Sequence, residues 1–170
     1  MDTIYRRRSI RKYSEEKVPE EIILKIIKAG MNAPSANNQQ PWQFLIINKS
    51  KLLQEITKIH PFSQMLHEAP VAILICGDLS LENAKGFWVQ DCAAATENIL
   101  LEITYLGYGG VWLGVYPEKN RVEAIRKLFR IPENIIPFSI VAVGCPREEK
   151  EPKNEFHKDR IRYNYWDNNI

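Results

Sequence analysis

Residues 71–77 read Val-Ala-Ile-Leu-Ile-Cys-Gly, and every one of them is apolar. A strand with one face in water alternates apolar and polar side chains, whereas a strand covered on both faces reads as a continuous apolar run. This stretch therefore predicts a central strand that is buried on both of its faces.

The chain on either side of this strand predicts a mixture of short helices and strands. Apolar runs predict strands over 44–47 and 135–144. Helical periodicity, proline and glycine positions predict helices over residues 2–6, 19–32, 50–59, 65–69, 87–106 and 121–129. We therefore expect an α+β protein, and the 170 residues are the length of one domain spanning 1–170.

Composition excludes several classes of protein. Apolar content is 45% and net charge is +2, so the surface as a whole is not built to attract nucleic acid. Cys76, Cys92 and Cys145 are widely spaced and predict reduced core thiols. No apolar run approaches the ~18 residues of a membrane span, and no signal segment is visible. These observations predict a cytoplasmic protein without a membrane partner.

No motif of hydrolytic or metal chemistry is present. The three histidines lack metal-ligand spacing, so we expect no metal site. Adjacent carboxylates point in different directions, and Glu148 and Glu149 are therefore interpreted as a solvated pair. Asp91 reads as a buried capping or interface group, because the sequence shows no catalytic partner for it.

Residues 6–13, Arg-Arg-Arg-Ser-Ile-Arg-Lys-Tyr, concentrate five cations near the N-terminus. Arginine forks match phosphate oxygens, which favours a built-in anion site. A solvated basic patch and a nucleic-acid segment remain alternatives. An anion site without a nucleophile suits a flavin enzyme, in which the cofactor carries the chemistry.

Three other stretches leave alternatives open. Small residues at 92–95 indicate either a simply buried helix or a helix that crosses its symmetry mate in a dimer. Four glycines within 107–114 indicate close backbone approach, either to a ligand or to another strand. The aromatic segment 156–166 predicts an extended tail that packs on something, with a partner subunit as one candidate.

Four motifs in order resemble the nitroreductase family of FMN-dependent NAD(P)H oxidoreductases. Residues 7–11 resemble its R-R-S-x-R motif, and residues 33–42, Ala-Pro-Ser-Ala-Asn-Asn-Gln-Gln-Pro-Trp, resemble its A-P-S-x-x-N-x-Q-P-W signature. Residues 110–114 resemble its glycine-containing segment beside the flavin, and residues 158–160 resemble its C-terminal K-x-R.

The resemblance implies a role for each matching residue. Residues expected to hold the FMN phosphate are Arg7, Ser9, Lys158 and Arg160. Arg8 would contact the ring or ribityl chain, and Arg11 would stabilise negative charge on the reduced ring without being a catalytic residue in its own right. Residues expected to pack on or donate to the ring from the other subunit are Pro34, Ser35, Ala36 and Asn38, and the backbone of Leu113 and Gly114 would lie near its reactive nitrogen. Gln64 is a candidate polar contact to the ring.

The resemblance also implies architecture and activity. It implies a three-layer sandwich with a mostly antiparallel sheet, and an intertwined homodimer whose tail, 146–170, extends onto the partner. It implies that NAD(P)H reduces FMN and that a nitroaromatic, quinone or similar small acceptor then reoxidises it by a ping-pong mechanism, with no nucleic acid involved. The alternatives are a dehalogenase-like or flavin-modifying member of the same fold, and a flavin-binding module without turnover.

Overall fold

The structure, a computed structural model, describes residues 3–167. Its helices are α1 (Thr3–Arg6), α2 (Glu20–Met31), α3 (Ser50–Ile59), α4 (Trp88–Tyr105) and α5 (Lys119–Phe129). Its strands are β1 (Trp42–Ile47), β2 (Val71–Asp78), β3 (Gly109–Gly114) and β4 (Ile135–Gly144). Every predicted helix and strand over these residues exists, although residues 65–69 form only a 3-10 turn at Gln64–His67. The predicted start of the first helix at Asp2 lies outside the described residues.

The four strands form one antiparallel sheet in the order β1-β2-β4-β3. β2 lies between β1 and β4, and all of its residues are buried. The prediction of a central strand covered on both faces is therefore confirmed. β1 begins at Trp42 rather than at Phe44, because Trp42 pairs with Gly77 at the end of the ladder.

Helices cover both faces of the sheet and give it three layers. On one face, α2 and α4 pack against alternate strand residues such as Ile73 and Val141. On the other face, α3 and α5 pack against the intervening residues, such as Leu74 and Ile140. Strand side chains alternate between the faces, so each strand supplies both cores. The predicted three-layer α+β sandwich is confirmed.

Helix α4 is the inner helix of its layer. A Cβ added at Gly30 of α2 would lie 2.9 Å from the Ile99 side chain and 3.4 Å from the carbonyl oxygen of Ala95, both on α4. Ala95, one of the small residues of α4, therefore serves a close packing of two helices within the chain, and the crossing with a symmetry mate stays a prediction. The helix ends in a Schellman motif, in which the Tyr108 N–H donates to the Ile103 carbonyl and Gly107 takes a φ of 80°.

The glycine-rich stretch 107–114 contains the edge strand β3, whose packing explains two of its glycines. A Cβ at Gly109 would lie 2.7 Å from Ile10, so this glycine allows the N-terminal segment to lie beside β3. A Cβ at Gly110 would lie 3.1 Å from Ile103 on α4. Close approach to other parts of the same chain therefore accounts for both glycines.

After β4 the chain first lies along the N-terminal segment, where the Arg147 N–H donates to the Lys12 carbonyl and the Lys153 N–H to the Tyr5 carbonyl. The tail leaves the body of the protein beyond Lys153. It is irregular except for one 3-10 turn at Lys158–Arg160, and every residue from 151 to 160 is exposed. Phe156 is 75% exposed and Trp166 is 86% exposed. The expectation that these aromatics pack on a partner stays a prediction. Among residues 3–167, no helix is both long and apolar enough to cross a bilayer.

Candidate functional site

The basic N-terminal stretch runs along the outer edge of β3. Ser9 forms a parallel bridge with Gly110, and the Ile10 N–H donates to the Gly110 carbonyl over 3.0 Å. The buried Tyr13 donates its hydroxyl to the Ile10 carbonyl over 2.6 Å. In extended backbone, successive side chains point to opposite sides. Alternate side chains of the stretch therefore lie on opposite sides of the edge of β3.

A cleft of about 550 Å³ opens at the end of this edge. Its lining residues are Arg11, His60, Phe62, Gln64, Met65, Trp112, Leu113, Gly114 and Arg121. The cleft thus brings together four residues that the sequence had singled out: Arg11, Gln64, Leu113 and Gly114. It contains two guanidinium groups and no carboxylate, so the charge of its lining residues is positive.

Backbone polar groups of β3 face this cleft. The Gly114 carbonyl accepts hydrogen bonds from the side chains of His60 and Arg121, so it points away from β4. The N–H and C=O of one strand residue point to the same side, and therefore the Gly114 N–H also faces the open edge. A Cβ at Gly114 would meet no atom within 4 Å. The cleft thus offers a backbone donor with open space beside it.

His60 fixes one side of the cleft. It is only 3% exposed, its Nδ1 accepts from the Phe62 N–H over 3.2 Å, and its Nε2 lies 2.9 Å from the Gly114 carbonyl oxygen. These two contacts require the neutral tautomer that carries its proton on Nε2. Burial lowers the pKa of His60, opposed by the bond to Gly114 and reinforced by the positive charge of Arg121.

Arg121 fixes the other side. Its Nη1 donates to the Gly114 carbonyl over 3.1 Å, and its guanidinium carbon lies 6.0 Å from the centre of the Phe62 ring. None of the ion pairs among residues 3–167 involves Arg121. The cleft therefore holds a positioned cation that no carboxylate of the described chain neutralises.

The main chain of Arg11 is held by a carboxylate that the sequence had not linked to it. Glu148 accepts the Arg11 N–H through Oε1 over 2.6 Å and forms an ion pair with Lys150 at 3.3 Å. The bond from the Arg11 N–H, followed by Lys150, lowers the pKa of Glu148. The interpretation of Glu148 as part of a solvated pair was wrong, since the carboxylate positions the backbone at the mouth of the cleft.

The residues expected to bind phosphate are dispersed within one chain. Arg7 forms an ion pair with Glu97 on α4 at 3.3 Å, and the Ser9 carbonyl accepts from Lys150 over 2.7 Å. Across residues 3–167, no hydrogen bond or ion pair joins Lys158 or Arg160 to either of them. The predicted phosphate clamp is not assembled within a single chain.

Arg8 lies apart from the cleft. Its Nη1 donates to the Glu151 carbonyl, and its side chain lines a separate groove with Ile10, Tyr108 and Lys150. Arg8 and Arg11 were both expected at the ring. In one chain the structure places them on different surfaces, because they lie an odd number of residues apart on an extended segment.

The predicted flavin loop, residues 33–42, contains a 3-10 turn at Ala36–Asn38 and lies outside the cleft of its own chain, although its last residue, Trp42, already belongs to β1. Ser35 accepts the Gln40 N–H through Oγ over 3.0 Å. Asn37, Asn38 and Gln40 all have positive φ, which costs energy for residues with a Cβ. The surrounding structure must therefore hold the loop in place.

Asp91 provides that support. It is 4% exposed, accepts the Ala36 N–H over 2.9 Å and accepts Gln39 Nε2 over 2.6 Å. Gln39 in turn accepts the N–H groups of Asn83 and Ala84, each over 2.9 Å. The prediction of a buried capping group is confirmed. Through these bonds Asp91 determines the shape of the loop that contains Pro34 and Asn38.

Three comparisons place this chain among known proteins. It is 49% identical over 166 residues to a protein of Methanothermobacter thermautotrophicus provisionally named NADH dehydrogenase/NAD(P)H nitroreductase, covering 98% of this chain and 87% of the relative. A provisionally named NADH oxidase from Clostridium acetobutylicum matches with a TM-score of 0.94 at 39% identity, covering 97% and 100% of the two chains. An FMN-dependent nitroreductase from Clostridium difficile matches with a TM-score of 0.89 at 26% identity, covering 96% and 98%.

The sequence profile of the Nitroreductase family matches residues 4–61 and 58–145. The matched segments contain the N-terminal basic stretch, the loop held by Asp91 and the whole of the sheet. The matched segments cover most of the chain, and the relative from Methanothermobacter thermautotrophicus aligns with 98% of it. The chain therefore belongs to the nitroreductase family.

Proposed function

We propose that this chain is an FMN-dependent oxidoreductase that takes electrons from NAD(P)H and reduces nitroaromatic, quinone or similar acceptors by a ping-pong mechanism. The main support for the proposal is the cleft, in which Arg11 and the N–H of Gly114 face one open space. The solved relative described as an FMN-dependent nitroreductase supports the choice of cofactor.

The cleft residues fit a flavin ring in three respects. The guanidinium of Arg11 has no ion-pair partner among the described residues, so its charge is available to the electron-rich edge of a ring. Gly114 has no Cβ to keep a flat ring away from the backbone N–H. The exposed amide of Gln64 adds a donor and an acceptor at the same opening.

When bound, FMN supplies the redox chemistry, because it exchanges two electrons with both the nicotinamide and the acceptor. For a quinone the balance is NAD(P)H, one proton and quinone giving NAD(P)⁺ and quinol. The chain orients the partners and places the guanidinium of Arg11 beside the site. No Asp or Glu of the same chain lines the cleft, and in this proposal the proton comes from water.

The remaining site residues act in this proposal through a homodimer. Arg7 and Ser9 hold the phosphate together with Lys158 and Arg160 from the tail, and Arg8 contacts the ring or the ribityl chain. Pro34, Ser35, Ala36 and Asn38 reach the ring from the other subunit. The clustering of exposed aromatics in the tail, Phe156 and Trp166 among them, supports a tail that packs on the partner, since exposed apolar clusters mark interaction surfaces.

The test of the redox function is anaerobic stopped-flow spectroscopy of the FMN-loaded protein. Bleaching of the flavin by NADH or NADPH, followed by reoxidation with a nitroaromatic or a quinone, is expected. A protein that binds no FMN would refute the proposal. Bound FMN that neither nicotinamide reduces would identify a flavin-binding module without turnover.

The test of the clamp is a Lys158→Ala, Arg160→Ala double variant with Lys153→Ala as the control. All three side chains are exposed in the single chain, so neither variant should lose stability. The double variant should lose FMN affinity, and Lys153→Ala should retain it. Sedimentation of the full chain and of a chain ending at residue 152 tests the dimer: the full chain should sediment as a dimer and the shortened chain as a monomer.

A further inference from the structure

Arg121 is the cation of the cleft that the proposed cofactor contacts leave unused. Arginine carries five N–H donors in a planar fork, and the Gly114 carbonyl engages one of them. That bond and the nearby Phe62 ring hold the guanidinium at the wall of the cleft. The other donors of the fork are therefore pre-positioned for an anionic ligand.

Phe62 supplies an apolar surface next to this cation. The ring is 71% exposed, although the N–H of the same residue is tied to His60 Nδ1 over 3.2 Å. Its ring also meets the His60 ring edge-on, with centroids 6.2 Å apart. The main chain is thus fixed while the aromatic face remains open, which suits stacking of a second ring.

The cleft contains no carboxylate that would repel an anion. Of its lining residues, Arg11 and Arg121 are cationic, and His60 is neutral in the tautomer fixed by its two hydrogen bonds. Arg11 lies on the N-terminal segment and Arg121 on α5, so the cations approach from two different elements. A ligand that carries an anionic group and a flat ring matches Arg121 and Phe62 together.

We infer that Arg121 and Phe62 form a specificity site that favours aromatic acceptors carrying an acidic group, such as a carboxylate, over neutral acceptors of the same shape. The inference rests on the proposed function. The acidic group receives charge-assisted hydrogen bonds from Arg121, and the ring lies against Phe62. The phosphates of the nicotinamide donor carry the same kind of charge, so the experiment must separate donor from acceptor.

The experiment measures each half-reaction by itself in stopped flow. Reduction of the FMN-loaded protein by NADH and by NADPH reports on the donor. Reoxidation of the reduced protein by 4-nitrobenzoate and by the neutral 4-nitrobenzamide reports on the acceptor. The variants are Arg121→Gln and Arg121→Lys, with Lys127→Gln as the control because it removes one exposed charge from the same helix outside the cleft.

The expected result is a loss of discrimination. The rate constant for reoxidation by 4-nitrobenzoate, divided by that for 4-nitrobenzamide, should fall about tenfold in Arg121→Gln. Arg121→Lys should keep most of the ratio, and Lys127→Gln should keep all of it. Phe62→Ala should slow both acceptors, whereas Phe62→Tyr should not.

Three results would overturn the inference. An unchanged ratio in Arg121→Gln would mean that the residue only supports Gly114, since a structural role slows both acceptors alike. A defect confined to reduction by NADH or NADPH would mean that Arg121 binds the nicotinamide donor and not the acceptor. A wild-type protein that shows no preference for the acidic acceptor would exclude the specificity site, while its reduction by nicotinamide would still uphold the proposed function.

Discussion

The Nε2 of His60 lies 2.9 Å from the carbonyl oxygen of Gly114, and this bond ties the loop after α3 to the end of the edge strand. His60 is buried and neutral, and its other nitrogen is already occupied by the Phe62 N–H. A protonated His60 would lose that acceptor and place a charge beside Arg121. The geometry of the cleft therefore depends on the protonation state of one imidazole.

The first prediction concerns pH. Because the pKa of His60 is lowered in the folded state, the unfolded state binds more protons as pH falls below the ordinary histidine value of about 6.5. The stability that His60 contributes is complete above that value and is lost between it and the lowered pKa. Thermal unfolding of His60→Gln should therefore depend less on pH than that of the wild type between about pH 7.5 and pH 5.5.

His67→Gln is the matched control, because this imidazole is exposed and lies outside the cleft. The control should retain the pH dependence of the wild type. Identical melting profiles for His60→Gln and the wild type at both ends of the range would show that the buried imidazole does not contribute.

The second prediction concerns Arg11→Ala. The side chain is exposed and Glu148 binds only the main-chain N–H, so the free energy of unfolding should change by less than about 0.5 kcal/mol. Flavin reduction by nicotinamide should slow about a hundredfold, since a charge aimed at the developing negative ring is lost. Stopped-flow reduction at saturating FMN measures the effect. Lys12→Ala should behave as the wild type, and equal slowing of both variants would indicate a general charge effect.

The third prediction concerns Asp91→Asn. The Ala36 N–H and the Gln39 amide bind different oxygens of Asp91, and asparagine replaces one of these oxygens with an NH2 donor. One of the two bonds is therefore lost, at a cost of about 1–3 kcal/mol. The strained loop should loosen, and FMN affinity should fall with stability. Chemical denaturation and fluorescence titration of FMN measure the two effects. Glu102→Gln on the same helix is the control, and a stable Asp91→Asn protein with normal affinity would contradict the positioning role.

The fourth prediction contrasts two glycines. A Cβ at Gly77 would overlap the ring of Trp88, a buried side chain packed edge-on against Phe138, so Gly77→Ala should destabilise the protein by about 1–3 kcal/mol. Gly114→Ala adds a methyl group in open space and should leave the melting temperature unchanged. The same methyl group enters the cleft, so FMN affinity should fall. Normal FMN binding by Gly114→Ala would show that the flavin ring does not lie against this backbone.

Much of the fold was determined by local patterns in the sequence. The bounds of α3 and β4 match the prediction residue for residue, because α3 carries a clear apolar stripe and β4 is apolar except for Ser139. The interpretation of 71–77 as a doubly covered strand also required nothing beyond its composition. The four motifs at 7–11, 33–42, 110–114 and 158–160 together suggested the family, which the profile match then established.

The tertiary structure alone decided which polar groups meet. His60, Arg121 and Gly114 are separated by many residues, and nothing in the sequence distinguishes His60 from His67 or Arg121 from Arg126. They converge because β3 is an edge strand, and its outward carbonyl can be reached from both α5 and the loop after α3. Sequence determined the helices and three of the four strands through short-range patterns, whereas the edge strand β3 and the cleft beside it depend on long-range packing that no local pattern encodes.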